Sequence, residues 1–588
     1  MMDNQLETTK KLNGSKCNRN NDIEKDKVDA NEFEHATSSE SVDAVRYLNN
    51  SRAFKGDNSD GQISWNVRSR IAACALIAVY VGTQLPLYFI GGTLNFIAAD
   101  IGGGEKISWL PVAFSLAIAA TCPFVGYVED VVGRREIALG GSILLCVGSA
   151  VIGSSRTLGQ AIAGAAIGGI GSGVGEITAL AGVSEIVPVN RRGIFLAGLT
   201  AAIIPFAPYM MYSQYFSTYT TWRWGLWIAL IVNGTGGIFL ALTYFPKRVS
   251  QSRLSKKEIL GQVDYIGAFL SIVGLTLSLV ALQSGGYTYP WKSSHVLCPL
   301  IIGILLIVAF FLWEWKGAKN PMVPREIFAG QGIVGLVFGI AFVSGMNFYA
   351  ELNFLPLLYT NVFDPTPYAI GTKSLGVAFG TCLGAVLVNA LLSIWKDHNR
   401  ELLLFFCIIM TSFGGALSAV DPDRPALSVV LSTLLGFGVG GVLVPAQTIA
   451  ITVTPDAFIA TTVALAISIR VLGGSIGYSI YYNVFVNKLN EKLPLLIGEF
   501  AVEAGLPLAS AKQFVVSFLT TPNFMSQVPG VTPAVIQAAE MGSRWAYSES
   551  LAYVWYVSVA FGVMSIVACL FLGNVRPYLT HRIAVELN

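Results

Sequence analysis

The stretch Gly126-Tyr-Val-Glu-Asp130-Val-Val-Gly133-Arg134-Arg135 decides how this chain is read. It joins two apolar runs, 108–128 and 137–156, each long enough to cross a bilayer core of about 30 Å, which takes about 20 residues as a helix. Its glycines allow a tight turn and close helix approach. Asp130 is placed to meet the positive end of a neighbouring helix, and Arg134 to pair across to another part of the molecule. Such contacts would hold two halves together on one face of a membrane and would have to break for access to alternate.

Outward from this loop the pattern repeats. Apolar runs fall at 71–99, 108–128, 137–156, 160–183, 194–216, 223–245, 265–283, 296–316, 332–354, 370–392, 401–419, 428–450, 460–485 and 551–573. The expected fold is therefore all-α and polytopic, with about fourteen transmembrane helices. The bulk agrees: 53% hydrophobic, 13% charged and sixty glycines suit membrane helices packed through small residues.

Lys and Arg set the orientation. Arg134 and Arg135, Arg191 and Arg192, Lys247 to Lys257, Lys316 to Arg325, and Lys396 with Arg400 occupy alternate short loops, while the intervening ones carry about one basic residue each. The basic set is expected to be cytoplasmic, with both termini inside. Residues 1–66 read as a polar, disordered cytoplasmic tail without a cleavable signal peptide. Residues 67–245 are expected to form a first six-helix bundle, 246–331 two intervening helices, and 332–588 a second six-helix bundle. The long segment 486–550 falls outside as an extracellular loop. Its amphipathic stretches Pro507–Leu519 and Pro533–Met541 favour a partly folded cap over a second substrate-handling element.

Several function classes fall away. Eight cysteines are scattered without paired spacing and four histidines stand alone, so no metal site is expected. No basic stripe interleaved with aromatics suggests nucleic acid. Gly371-Thr-Lys373-Ser374 lacks the spacing of a phosphate-binding loop, and no nucleophile–base constellation suggests an enzyme. A channel would satisfy the hydropathy but has no need of the Gly126–Arg135 loop.

That loop resembles the signature of the major facilitator superfamily. Thr221-Trp222-Arg223-Trp224, Asn233, Asp264-Tyr265-Ile266-Gly267, Pro321-Met-Val-Pro324 and Arg470 with Gly473, Gly474 and Gly477 are similar to elements of the fourteen-helix drug:proton antiporters. Asn95-Phe-Ile-Ala-Ala-Asp100-Ile-Gly102, Gln160 to Gly164, Glu185-Ile-Val-Pro188, Tyr578-Leu-Thr-His581 and Ala584-Val-Glu586-Leu look most like the fungal trichothecene efflux pump family, relatives of the siderophore transporters. The resemblance implies a monomeric multi-pass protein that exports a small-molecule toxin or secondary metabolite across the plasma membrane, or a vacuolar or vesicular one. The proton gradient would drive it, without a cofactor. A siderophore-iron:proton symporter and a solute-sensing transceptor are the alternatives. Two antiporter features are missing: no Arg lies between Gly164 and Gly175, and helix five carries Pro205 and Pro208 in place of a Gly-Pro pair.

The conformational gate is assigned to Gly126, Asp130, Gly133, Arg134 and Arg135. Glu176, Arg470, Glu351 and Arg223 are candidates for the proton or substrate path, because an intramembrane charge costs several kcal/mol unless paired or hydrated. Glu176 and Arg470 read equally well as a structural pair. Glu351 reads better as a residue near the outer end of its helix. Phe206, Tyr209, Tyr212, Asn347 and Asn353 are candidate cavity residues that helix packing explains as well.

Overall fold

The computed structural model describes residues 66–246, 261, 263–286, 288–328, 332–520 and 528–585. The expected tail (apart from Asn66) and the basic loop Lys247–Lys257 lie outside them.

Fourteen described helical segments are long and apolar enough to cross a membrane. In chain order the helices are α1 (Val67–Ile101), α2 (Trp109–Val132), α3 (Arg134–Gly153), α4 (Leu158–Ile186), α5 (Arg192–Ala201), α6 (Tyr209–Tyr219), α7 (Trp224–Thr243), α8 (Tyr265–Ser284) and α9 (Ser294–Lys316). They continue as α10 (Ile333–Asn361), α11 (Pro367–Lys373), α12 (Leu375–Ile394), α13 (Asn399–Ala416), α14 (Pro425–Val453), α15 (Ile459–Glu503), α16 (Leu508–Thr520) and α17 (Pro533–Leu570). The β-structure among the described residues is one isolated bridge, Gly285 to Tyr289.

Span five is two helices. Pro205 and Pro208 supply no N–H, so the chain passes through a 3₁₀ turn, Ile204–Phe206, before α6 begins. Span ten is likewise divided at Ser374.

The segment 486–550 is folded at the amphipathic stretches Pro507–Leu519 and Pro533–Met541, as expected, but it is helix over more of its length than a long loop would be. α15 runs on to Glu503 and α17 starts at Pro533, so both helices project beyond the apolar band. They enclose α16 around a small core of Ile497, Phe514, Val535 and Ala539. The extensions escape a hydropathy reading because only one face is apolar; the other carries Lys488, Glu491 and Lys492.

Helices α1–α7 and α10–α15 with α17 form two bundles. The seam between them is made by α2 and α4 against α15, by α5 against α12, and by α6 against α11. Close approach needs glycine here: a Cβ on Gly126 of α2 would stand 2.3 Å from Ala464 Cβ and 2.6 Å from Ala460 O of α15. The α8–α9 pair packs beside α2, with Tyr127 donating to Asn320 O at 3.3 Å. Asp264 caps α8 at Gly267 N (2.9 Å) and accepts from Trp313 Nε1 (3.0 Å). The outer face of α9 (Ile301, Leu305, Val308, Leu312) is exposed apolar surface facing where lipid would lie.

Candidate functional site

Two places along the seam hold most of the candidate residues. The first is at the face carrying the basic loops. Gly133, at φ 113°, breaks the chain between α2 and α3 in a conformation open to glycine. Asp130, one turn earlier, crosses the seam: its carboxylate accepts from Thr461 N and Thr461 Oγ1, both at 2.8 Å, and from Ala460 N at 3.3 Å. These are free N–H groups of the first turn of α15, where the helix dipole favours a negative charge.

Arg134 does not pair across to the other bundle. The turn at Gly133 folds it back under α2, 3.3 Å from Asp130 and 2.7 Å from Glu185 at the end of α4. It stays within the first half and holds Asp130 in place. Arg135 also stays there, donating to Ala241 O at 2.7 Å and lying 4.2 Å over the Phe245 ring.

At this face the seam is crossed by Arg192, which the sequence shows only as loop charge. It lies 3.2 Å from Asp456 and donates to Ile451 O at 2.9 Å, both beyond the seam. Arg582 reaches the other oxygen of Asp456 at 2.8 Å. A repeat in the sequence pointed here: Pro188 and Pro455 each follow a long helix and open a 3₁₀ turn, Val189–Arg191 and Asp456–Phe458, leading into the next helix. Glu129, which carries no mark in the sequence, is buried and accepts from the Thr178 hydroxyl.

The second place is deeper. Arg470 of α15 and Glu176 of α4 form an ion pair at 2.8 Å across the seam. Nearby, Tyr349 donates to Ser115 Oγ at 3.0 Å and Ser468 to Ala119 O at 2.6 Å, so this level of the seam is stitched by polar bonds. Neither Glu176 nor Arg470 lines the apolar cavity on the seam.

That cavity, of about 50 Å³, lies between α1, the turn joining α5 to α6, α6, α10 and α12. In this conformation it has room for a few water molecules. Tyr88, Tyr209, Met210, Phe348, Leu355 and Cys382 make it apolar, and Glu351 is the one ionisable carboxyl or base among its lining residues. Glu351 is not at the end of its helix, because α10 continues through Pro356 to Asn361. It is 8% exposed; Oε1 accepts from Thr381 Oγ1 at 3.0 Å, and Oε2 has no protein hydrogen-bond partner.

Of the other candidates, Tyr209 reaches the cavity, whereas Phe206 and Tyr212 are not among its lining. Asn347 and Asn353 bond the carbonyls of Val343 and Tyr349 on their own helix. Arg223 lies on the opposite face and is not among the residues lining the cavity. It pairs with Asp100 at 2.6 Å and donates to Ser155 O at 2.9 Å, fastening the ends of α1, α3 and α7. Trp222 shares the Asp100 carboxylate.

The fold agrees with solved transporters. The chain resembles the human organic anion transporter MFSD10 (TM-score 0.50, 12% identity, covering 85% of this chain and 100% of that one). It also resembles the major facilitator proton:xylose symporter XylE (TM-score 0.50, 13% identity, 88% and 98%). Among curated proteins it is 26% identical to the MFS-type transporter ucsD of an Acremonium species, over 84% of this chain and 81% of that one. It is 25% identical to the trichothecene efflux pump TRI12 of Fusarium sporotrichioides, over 86% of each. The model of the fungal trichothecene efflux pump (TRI12) family matches residues 59–588. The chain is thus a multi-pass membrane transporter of the major facilitator type and belongs to the fungal trichothecene efflux pump family.

Proposed function

We propose that this protein is a monomeric, proton-coupled exporter of an amphipathic toxin or secondary metabolite across the plasma membrane, with its basic face in the cytoplasm. The observation that carries the reading is the seam cavity: apolar and aromatic, with one carboxylate oxygen of Glu351 left without a partner. An apolar wall suits a solute that partitions from the membrane or cytosol, and a lone carboxyl can exchange a proton for a donor on the solute. On this reading Asp130 and Asp456 are the anchors that close the cytoplasmic side, and both must release before the cavity opens inward. The names of the related efflux pumps support the outward direction.

Deletion of the gene in the producing organism tests this. The strain should retain its metabolite inside the cell and become more sensitive to it. Unchanged tolerance, together with lost uptake of a ferric chelate under iron starvation, would replace the export reading with iron import.

A further inference from the structure

Glu185-Ile-Val-Pro188 and the two C-terminal stretches singled out in the sequence, Tyr578-Leu-Thr-His581 and the one opening at Ala584, contribute nothing to the cavity. The structure brings them together. After α17 the chain is first held to its own bundle, where Asn399 of α13 donates to Gly573 O at 3.0 Å and accepts from Val575 N at 3.3 Å. It then crosses to the end of α4 in the other bundle. Val189 N donates to Arg582 O (3.2 Å), Asn190 N to Thr580 O (3.1 Å), and Ala584 N and Val585 N both donate to Glu185 O (3.1 and 3.0 Å). Asn190 and His581 side chains meet at 3.2 Å. Ile583, Ala584 and Val585 are 8%, 2% and 7% exposed, so the strap is packed down and not merely draped.

Arg582 turns from this strap into the seam. Asp456, fully buried, is held between Arg582 of the strap on one oxygen and Arg192 of the first bundle on the other. A single guanidinium on a buried carboxylate leaves its second oxygen to be satisfied elsewhere; two fix its orientation.

We propose that Thr580–Val585 is a working part of the cytoplasmic gate, a strap from the second bundle that clamps the first in the closed state and must release before the cytoplasmic side opens. Arg582 is its positioning residue, acting through Asp456 to present a carboxylate oxygen to Arg192. The bonds to Glu185, Val189 and Asn190 join parts that alternating access moves apart at this face. Their rupture is therefore on the route to the inward-open state. The inference rests on the basic face being the cytoplasmic gate, and it is independent of solute, coupling ion and direction of transport.

The test needs no substrate. Val463 of α15 is fully buried in the seam just beyond the Asp130 contact. In full-length protein lacking reactive native cysteines, with Val463→Cys, maleimide labelling in inverted vesicles reports opening at the cytoplasmic face. Arg582→Ala should speed labelling about tenfold, the order of population shift expected when a buried carboxylate loses one of its two cationic partners, and Arg582→Lys should restore most of the slow rate. An unchanged rate in Arg582→Ala overturns the positioning role. A second arm avoids weakening the protein: Val189→Cys and Ile583→Cys are joined by a short, reducible thiol crosslinker before labelling. Crosslinked protein should label several-fold more slowly and recover on reduction. Labelling that ignores the crosslink would mean that the strap travels with the first bundle, and the clamp would be refuted. Either result leaves the export reading to stand or fall on the deletion strain.

Discussion

Asp130 on α2 receives both the backbone N–H and the hydroxyl of Thr461, each at 2.8 Å, at the first turn of α15. One carboxylate thus ties the two bundles through the positive end of a helix, and Arg134, locked by Glu185, keeps it aimed. Asp130→Asn preserves size but removes the charge that the helix end favours. Transport should fall at least about tenfold, while surface abundance, measured by biotinylation, stays near the parent level. Normal transport kinetics in this variant and in Arg134→Ala would exclude the loop from the gate.

Gly126 tests the closeness of the seam. An added methyl would meet Ala464 Cβ at 2.3 Å and Ala460 O at 2.6 Å, so α2 and α15 would have to separate. Gly126→Ala should destabilise the detergent-solubilised protein by about 1–3 kcal/mol, read as a lower midpoint in a thermal unfolding assay. Ala464→Gly in the same chain should recover only part of that loss, since the Ala460 carbonyl remains. Full recovery would show that the helix backbone yields easily there.

The Arg470–Glu176 pair calls for a double-mutant cycle. Removing one partner leaves a buried charge and should cost about 3–5 kcal/mol, whereas removing both should cost less. Glu176→Gln and Arg470→Met are each expected to lower the unfolding midpoint, and the double variant to regain much of it. If the single and double losses simply add, the two charges are not coupled in the membrane-embedded protein.

Much of this was legible in the sequence because membrane helices announce themselves by length and apolarity, and because Gly126, Asp130 and Gly133 carry backbone demands that few residue types meet. The pairings were less legible. Arg134 was expected to reach the other bundle; whether an arginine crosses a seam depends on which way the chain leaves Gly133. Arg192 and Asp456, 264 residues apart, meet because matching helix–proline–3₁₀ turns in the two bundles face one another. The helical extensions of α15 and α17 were hidden because their polar faces contact water, not lipid. The cavity wall mixes residues from four helices and the turn joining α5 to α6, and nothing in the local sequence marks Tyr88 or Cys382 as its lining.

Orientation can be checked directly. In a background lacking Cys17 and, among the described residues, the exposed thiols Cys74 and Cys298, cysteines placed at Ser294 and Ala509 should react with an impermeant thiol reagent applied to intact cells. One placed at Lys319, in a basic loop, should react only after permeabilisation. All three positions are exposed, so a reversed pattern would turn the molecule over and move the gate to the outside.

Glu351 is the sharpest test of coupling. Its Oε1 is occupied by the Thr381 hydroxyl, its Oε2 by no protein group, and no lysine or arginine lines the cavity around it. A charge held there without a cation would cost several kcal/mol. A bound proton removes that cost, and so does a donor group on the solute; one site accepting either in turn is sufficient for exchange. Glu351→Gln keeps the side-chain length and the acceptor for Thr381 but cannot give up a proton. In inverted vesicles, accumulation driven by an imposed pH gradient should fall at least about tenfold, while solute-for-solute exchange at constant pH stays within about threefold of the parent. Glu351→Asp should retain part of the gradient-driven rate, since it keeps the titrating group. Glu176→Gln serves as the contrast: its carboxyl is committed to Arg470, so it should lower stability and exchange together and leave the ratio of driven to exchange rates unchanged. Should Glu351→Gln still accumulate solute under the pH gradient while Glu176→Gln does not, the coupling carboxyl lies in the Arg470 pair, and the cavity glutamate has a binding role alone.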